Sequence, residues 1–300
     1  MAIVTYFSVI IPTYNRGHLI QETIGSVLQQ SFTSFEVIIV DDGSQDDTEQ
    51  QVRAHFSENL QVRYFKKNNE ERGAARNYGM AQATGEFAVF FDSDDLMKED
   101  YLQTLYQTIL KHPDIHFLAC KYDFFDRDGN IKPAPIQSVK EGWYDRSFFL
   151  KGNILAANYC IRIKGHTCQP FPPQRELASM EDWLFILLNT EQDKVFIRDK
   201  VCLSMRQHDE RSMGDNQKVI AARIRAVDWI NRAIALQPAE KRSLIAWSHY
   251  FCGIHQYLDG KRSNSIQEAL RAIRKGGVHK KFILLLLKSI VGRKFIQKIK

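Results

Sequence analysis

Asp92, Asp94 and Asp95 place three carboxylates within four positions of the stretch "GEFAVFFDSDDL" (85–96), directly behind a run of apolar residues. Carboxylates this close repel one another at neutral pH, so they call for hydrogen-bond donors or a cation. A helix N-terminus, capped by Ser93 or Asp94, would account for one or two of the acids but not for all three. A calcium loop of the EF-hand type starting at Asp92 would need Gly at its sixth position and an acid at its twelfth, where this chain has Met97 and Gln103. A phosphatase Asp-x-Asp usually carries Thr or Val where Leu96 stands, and it follows the first strand rather than a late one. A further reading is a hard-cation site at which carboxylate and diphosphate oxygens share Mg²⁺ or Mn²⁺.

Such a site needs strands to hold it. Short β-branched and aromatic runs predict strands at 7–12, 35–44, 62–67, 86–92 and 115–120, and helical patterns fall between them at 18–30, 46–56, 73–83 and 99–112. This alternation predicts an α/β fold with a mostly parallel sheet covered by helices. Ligands of such sheets bind beyond the carboxyl ends of the strands. Thr13 to Asn15, Asp41 with Asp42, and Asp92 to Asp95 all fall at such ends. Beyond residue 121 the pattern predicts a hairpin at 123–132, a proline-rich loop at 168–177, a helix at 180–189 and a strand at 194–199. From about 216 onward the chain reads as helix, so the expected organisation is a catalytic domain over 1–215 and a helical region over 216–300.

Four segments in order resemble the inverting glycosyltransferases of family 2, which have the Rossmann-like GT-A fold. They are "SVIIPTYNR" (8–16), "FEVIIVDDGSQDDT" (35–48), "GAARNYGMAQATGEFAVFFDSDD" (73–95) and "MEDW" (180–183), and the resemblance covers roughly 6–212. It implies transfer of a hexosyl or N-acetylhexosaminyl group from a nucleotide donor, expected to be a UDP-sugar, with Mn²⁺ or Mg²⁺ as cofactor. Pro12 and Tyr14 would line the nucleotide loop, with Tyr14 on the uracil ring. Asp42 would accept the imide N–H, and Asp41 would order the loop. Arg76 is expected near the base or, alternatively, paired with the acidic run. Asp92 would meet the ribose or the outer shell of the metal, Asp94 would bind the metal directly, and Asp95 reads as a helix cap. Asp182 is the expected base for the acceptor hydroxyl, with Glu181 orienting the acceptor; the simpler reading of this pair is an acidic helix start. His208 is a candidate metal ligand, and Arg206 or Arg211 a candidate contact to the diphosphate. A non-catalytic sugar-nucleotide-binding protein of the same fold is the alternative that intact "EDW" argues against.

One departure stands out. "NNEERGAARN" has Glu71 where the family commonly has Gly, and Gly73 is expected to make the turn one step later. The Gln-x-x-Arg-Trp signature of processive synthases is absent, so one sugar per encounter is expected.

Composition sets the frame. The 300 residues are 44% hydrophobic and 25% charged, ordinary for a globular chain. Five scattered cysteines form no disulfide framework and favour a reducing, cytoplasmic compartment. "CIRIKGHTC", with Cys160, His166 and Cys168, matches no usual zinc spacing. The start of the chain reads as a first strand rather than a signal peptide, and its longest apolar run, "FILLLL", is far too short to span a membrane. Twelve of the Lys/Arg fall in 261–300 against the single acid Glu268, which leaves the rest of the chain at −5. That asymmetry excludes a uniformly basic nucleic-acid surface. Residues 278–300 read as an amphipathic helix for the inner face of an anionic membrane, which would suit a saccharide or lipid-linked acceptor made there for cell-surface polysaccharide. Packing on protein is the competing reading.

Overall fold

The computed structural model describes residues 5–207 and 215–292. Among them two compact units form: 5–145, 154–175 and 189–207 make the first, and 146–153, 176–188 and 215–292 the second. The helices from Asn216 onward fall in the second unit. Two earlier stretches join them, however, including the start of the "MEDW" helix, whose Trp183 carries the guanidinium of Arg223 at 3.5 Å from its ring centroid.

The first unit is built on β1 (Phe7–Thr13), β2 (Phe35–Asp41), β3 (Val62–Lys66), β4 (Phe87–Phe90), β5 (Leu96–Met97), β6 (Phe117–Phe125), β7 (Ile131–Pro133), β8 (Gly142–Tyr144), β9 (Tyr159–Arg162) and β10 (Val195–Arg206). The sheet runs β3-β2-β1-β4-β9-β6-β10-β5, with β7 on the edge of β6 and β8 paired with β10. The strands from β3 to β4 pair in parallel, β9 enters antiparallel between β4 and β6, and β10 returns to parallel pairing with β6. Helices α1 (Gly17–Leu28), α2 (Thr48–Phe56), α3 (Glu71–Gln82) and α4 (Tyr101–Lys111) connect the strands. β1, β2 and β4 are buried along their whole length, as expected of Val/Ile/Phe strands covered on both faces.

One acid is built into this core. Glu36 accepts hydrogen bonds from the Ser8 hydroxyl, from the Thr84 amide and hydroxyl, and from Arg63. Burial pushes its carboxyl upward, but these donors outweigh burial and hold it below the ordinary value of 4.5. A lowered folded pKa gives stability that is complete above about pH 4.5 and lost as pH falls through the folded value. The stability gap between the wild type and Glu36→Gln is therefore expected to be widest near neutrality and to narrow steadily below pH 4.5. Urea melts at several pH values check this.

The second unit holds α5 (Arg146–Phe149), α6 (Glu181–Asn189, all but its last residue), α7 (Asn216–Ala233), α8 (Pro238–Leu258), α9 (Arg262–Gly276) and α10 (Lys280–Val291). The aromatic stretch of α8 packs as core, with Trp247 and Tyr250 against Phe282 of α10. α10 thus buries one face, through Phe282, Leu285 and Ser289. Leu284, Leu287, Ile290 and Val291 remain exposed. Residues 293–300 of the basic tail lie outside the described residues. No helix among the described residues is long and apolar enough to cross a membrane.

Candidate active site

Three adjacent parallel strands, β2, β1 and β4, end side by side, and each delivers part of the expected site. Pro12 is buried at the end of β1, where it pairs in register with Val40. Tyr14, just beyond, is 43% exposed and offers an open ring. Asn15 takes φ +52°, a left-handed conformation that Asn tolerates better than most residues. From here the first loop is laced to the one after β2. The amides of Asn15, Arg16 and Gly17 donate to Ser44 Oγ, Thr48 Oγ1 and Asp46 Oδ2, and the Gln45 amide donates back to Asn15 Oδ1, all at 2.9–3.0 Å. Gly17 leaves room there: a Cβ on it would stand 2.0 Å from Asp47 Oδ1, and that exposed carboxylate would have to swing aside.

The two acids at the end of β2 divide their tasks. Asp41 Oδ1 accepts the Ser44 amide and its Oδ2 accepts the Tyr64 hydroxyl, so Asp41 orders the loop as expected. Asp42 is only 3% exposed, and its Oδ1 accepts Lys67 Nζ at 2.9 Å and the Glu70 amide at 3.0 Å. Among the described residues no donor reaches its Oδ2, which leaves an acceptor for an imide N–H. Lys67 and Glu70 were not foreseen; neither belongs to a motif.

The third motif holds its place through α3. Ala75 is fully buried, Arg76 Nη2 donates to Asp92 Oδ1 at 2.8 Å, and the Asn77 side chain exchanges two 2.8 Å bonds with the backbone of Phe171. At 1% exposure Arg76 takes the second of its expected roles, the partner of the acidic run. The entry to α3 differs from expectation: Gly73 sits buried inside the helix, and Glu71 itself takes φ +75°. The chain keeps the left-handed turn and accepts the steric cost of a side chain there. Glu71→Gly is expected to raise stability by about 1 kcal/mol, read as a higher midpoint in denaturant.

Of the acidic run, Asp94 faces Arg16 Nε at 3.6 Å, and both side chains are about one-fifth exposed. Asp95 is not the expected helix cap, since α4 begins only at Tyr101. Its Oδ1 accepts the Arg206 amide at 2.9 Å and its carbonyl accepts the Thr23 hydroxyl, which pins the end of β10 to α1. Arg206 donates to the Asp94 carbonyl and to Glu22, which ties the end of β10 to the acidic run and to α1. His208 and Arg211 lie outside the described residues. The oxygens here suit a hard cation: Mg²⁺ or Mn²⁺ is commonly held by one or two carboxylates plus substrate phosphates. Asp94 would be the direct ligand, and the Arg76-paired Asp92 would stand behind it.

In the second unit, the first turn of α6 carries the acidic pair. Asp182 Oδ2 accepts Asn153 Nδ2 at 2.7 Å and its Oδ1 accepts the Trp183 amide at 2.7 Å, while the Trp183 indole N–H donates to the Phe149 carbonyl. Its orientation is thus fixed from both sides, and Asn153 is a positioning residue that sequence reading missed. Glu181, expected to orient an acceptor, is only 3% exposed, so it lies beneath the helix start rather than at its surface. Ser179 ahead of the pair takes φ +75°, a strained conformation of the kind that concentrates at functional sites.

Comparison with known proteins fits this geometry. The family model for glycosyl transferase family 2 matches residues 8–168. Poly(ribitol-phosphate) β-N-acetylglucosaminyltransferase TarS of Staphylococcus aureus is 41% identical over 109 residues, 35% of this chain and 19% of TarS. The GalNAc(5)-diNAcBac-PP-undecaprenol β-1,3-glucosyltransferase of Campylobacter jejuni is 39% identical over 102 residues, 33% of each chain. The chain spans less than half the length of the curated relatives it matches. The solved structure of S. aureus TarS 1–349 with UDP-GlcNAc superimposes with a TM-score of 0.67 at 22% identity, over 98% of this chain and 89% of that one. A mannosyltransferase of Pyrobaculum calidifontis, solved with GDP-Man and Mn²⁺, gives 0.59 at 17% identity, over 97% and 82%.

Proposed function

Because the chain belongs to glycosyl transferase family 2 and has the GT-A fold, we propose that it transfers a hexosyl or N-acetylhexosaminyl group from a UDP-sugar to a saccharide or lipid-linked acceptor, with inversion, in the making of cell-surface polysaccharide. The observation that carries this reading is the gathering of Tyr14, Asp42 and the Asp92–Asp94 pair at the ends of three neighbouring parallel strands. Tyr14 stacks on the base, and Asp42 Oδ2 accepts its imide N–H. Lys67 and the Glu70 amide hold that carboxylate still. Asp92, fixed by Arg76, meets the ribose or the metal's outer shell. A bound Mn²⁺ or Mg²⁺ on Asp94 would neutralise the departing diphosphate. Asp182 accepts the proton of the attacking hydroxyl.

For α10, the exposed Leu284, Leu287 and Ile290 beside Lys280, Lys281 and Lys288 support contact with an anionic membrane surface, through the face that the unit's core leaves uncovered. This would hold the enzyme at the inner leaflet, where lipid-linked acceptors are presented.

The test is UDP release from a panel of UDP-sugars, with Mn²⁺ or with EDTA, and with or without a membrane lipid extract. Metal-dependent release from one donor, stimulated by the extract, is expected. Metal-dependent UDP binding without release under any acceptor condition would favour a binding protein, and failure even to bind UDP would overturn the nucleotide site.

A further inference from the structure

We infer a second metal site, for a late first-row divalent cation such as Zn²⁺, formed by His116, His166 and Asp193 in the first unit. The three residues come from separate places in the chain: the residue before β6, the loop after β9 and the loop before β10. His116 Nδ1 stands 2.9 Å from Asp193 Oδ1, and His166 Nε2 stands 2.8 Å from Asp193 Oδ2. The two imidazoles lie nearly parallel, with centroids 4.0 Å apart. All the potential ligand atoms fall within 4.8 Å of one another.

These distances suit one ion. With metal–ligand bonds of about 2.0–2.2 Å, neighbouring atoms of a tetrahedral shell stand about 3.3 Å apart. To admit a cation the carboxylate must draw back by roughly half an ångström from each ring, and the two stacked rings must part by about 1 Å, since imidazoles sharing one tetrahedral ion stand with centroids about 5 Å apart. Two imidazole nitrogens and a carboxylate, with water completing the shell, form a set that suits zinc and disfavours Mg²⁺. Sequence reading passed over this site because it looked for partners of His166 within "CIRIKGHTC". Cys160 is buried inside β9, and the fold instead brings His116 and Asp193 from 50 residues upstream and 27 downstream of His166. Cys168, two residues beyond His166, is not part of the group whose ligand atoms fall within 4.8 Å of one another.

The location defines the role. β6 and β10 run parallel to β1, β2 and β4, so their starts lie at the opposite edge of the sheet from Tyr14, Asp42 and Asp94. The ion would clamp the starts of two strands to the exit of the antiparallel β9. It would brace the sheet without taking part in sugar transfer.

The test uses the full chain, stripped of metal and titrated with Co²⁺. One equivalent is expected to give the visible absorption of a four-coordinate nitrogen–oxygen site, without a thiolate charge-transfer band, and Zn²⁺ is expected to displace it while Mg²⁺ is not. His116→Gln, His166→Gln and Asp193→Asn should each weaken Co²⁺ binding by at least about 100-fold, whereas Asp94→Asn should leave that spectrum intact. Zn²⁺ should also raise the melting temperature of the wild type but not of Asp193→Asn. The proposal is overturned if the wild type gives no stoichiometric Co²⁺ spectrum, if the spectrum survives in both His166→Gln and Asp193→Asn, or if Asp94→Asn removes it.

Discussion

Asp182→Asn is expected to cut turnover by about 10³-fold, within the range that general-base catalysis commonly contributes, while the affinity for UDP stays within about twofold, since no donor contact changes. The amide keeps the shape of the carboxylate and can still accept from the Trp183 amide, so the helix start stays folded. What it lacks is the basicity to take a proton from the acceptor hydroxyl. Asn153→Ala acts on the same group at one remove: it leaves the carboxylate in place but frees its orientation, and a smaller loss of about tenfold is expected. Steady-state transfer alongside UDP calorimetry separates the two effects. Near-normal turnover of Asp182→Asn would place the base elsewhere.

The second large effect concerns Asp94. Asp94→Asn is expected to lower transfer by about 10³-fold, comparable with removing one preorganised electrostatic group from a transition state. Chelation of the wild type should cause a loss of similar size. EDTA added to Asp94→Asn should then do little more, because residues and ions that act as a unit are not additive. Arg16 is part of this account. It stands 3.6 Å from Asp94 and offers a cation to the carboxylate when no metal is bound. Arg16→Gln should therefore tighten apparent Mn²⁺ affinity, and isothermal titration reads the sign directly. Additive losses from Asp94→Asn and EDTA would mean that the ion binds somewhere other than Asp94.

Much of the first unit was legible because strands buried on both faces leave nearly uninterrupted apolar runs: β1 and β4 stand within a residue or two of where their Val/Ile/Phe stretches predicted them, and β2 starts where predicted but ends three residues sooner. β5, β8 and β9 were not legible. They are two to four residues long, and β9 owes its central position to neighbours on either side rather than to a pattern of its own. The site divides in the same way. The separate tasks of Asp41 and Asp42 were implied by the family resemblance, but the partners that fix them, Tyr64, Lys67 and the Glu70 amide, arrive from other segments. Asn153 beside Asp182 and the His116–His166–Asp193 group are of the same kind: sequence spacing carries no trace of pairs that only the tertiary fold creates. Asp95 misled for the opposite reason, since a local rule about helix starts lost to a long-range bond with Arg206.

The lacing of the loops after β1 and β2 also has a dynamic consequence. The amides of Asn15, Arg16, Gly17 and Gln45 are tied to side chains rather than to the sheet ladder. Four such bonds, each worth about 0.5–1.5 kcal/mol net, make the pair of loops a cooperative patch that can open while the strands beneath stay closed. In hydrogen exchange those amides should therefore become labile together, well before the core of β1. Bound nucleotide should slow them as a group, and on the proposed reading the stretch that would grip the donor would also set how quickly the spent nucleotide leaves.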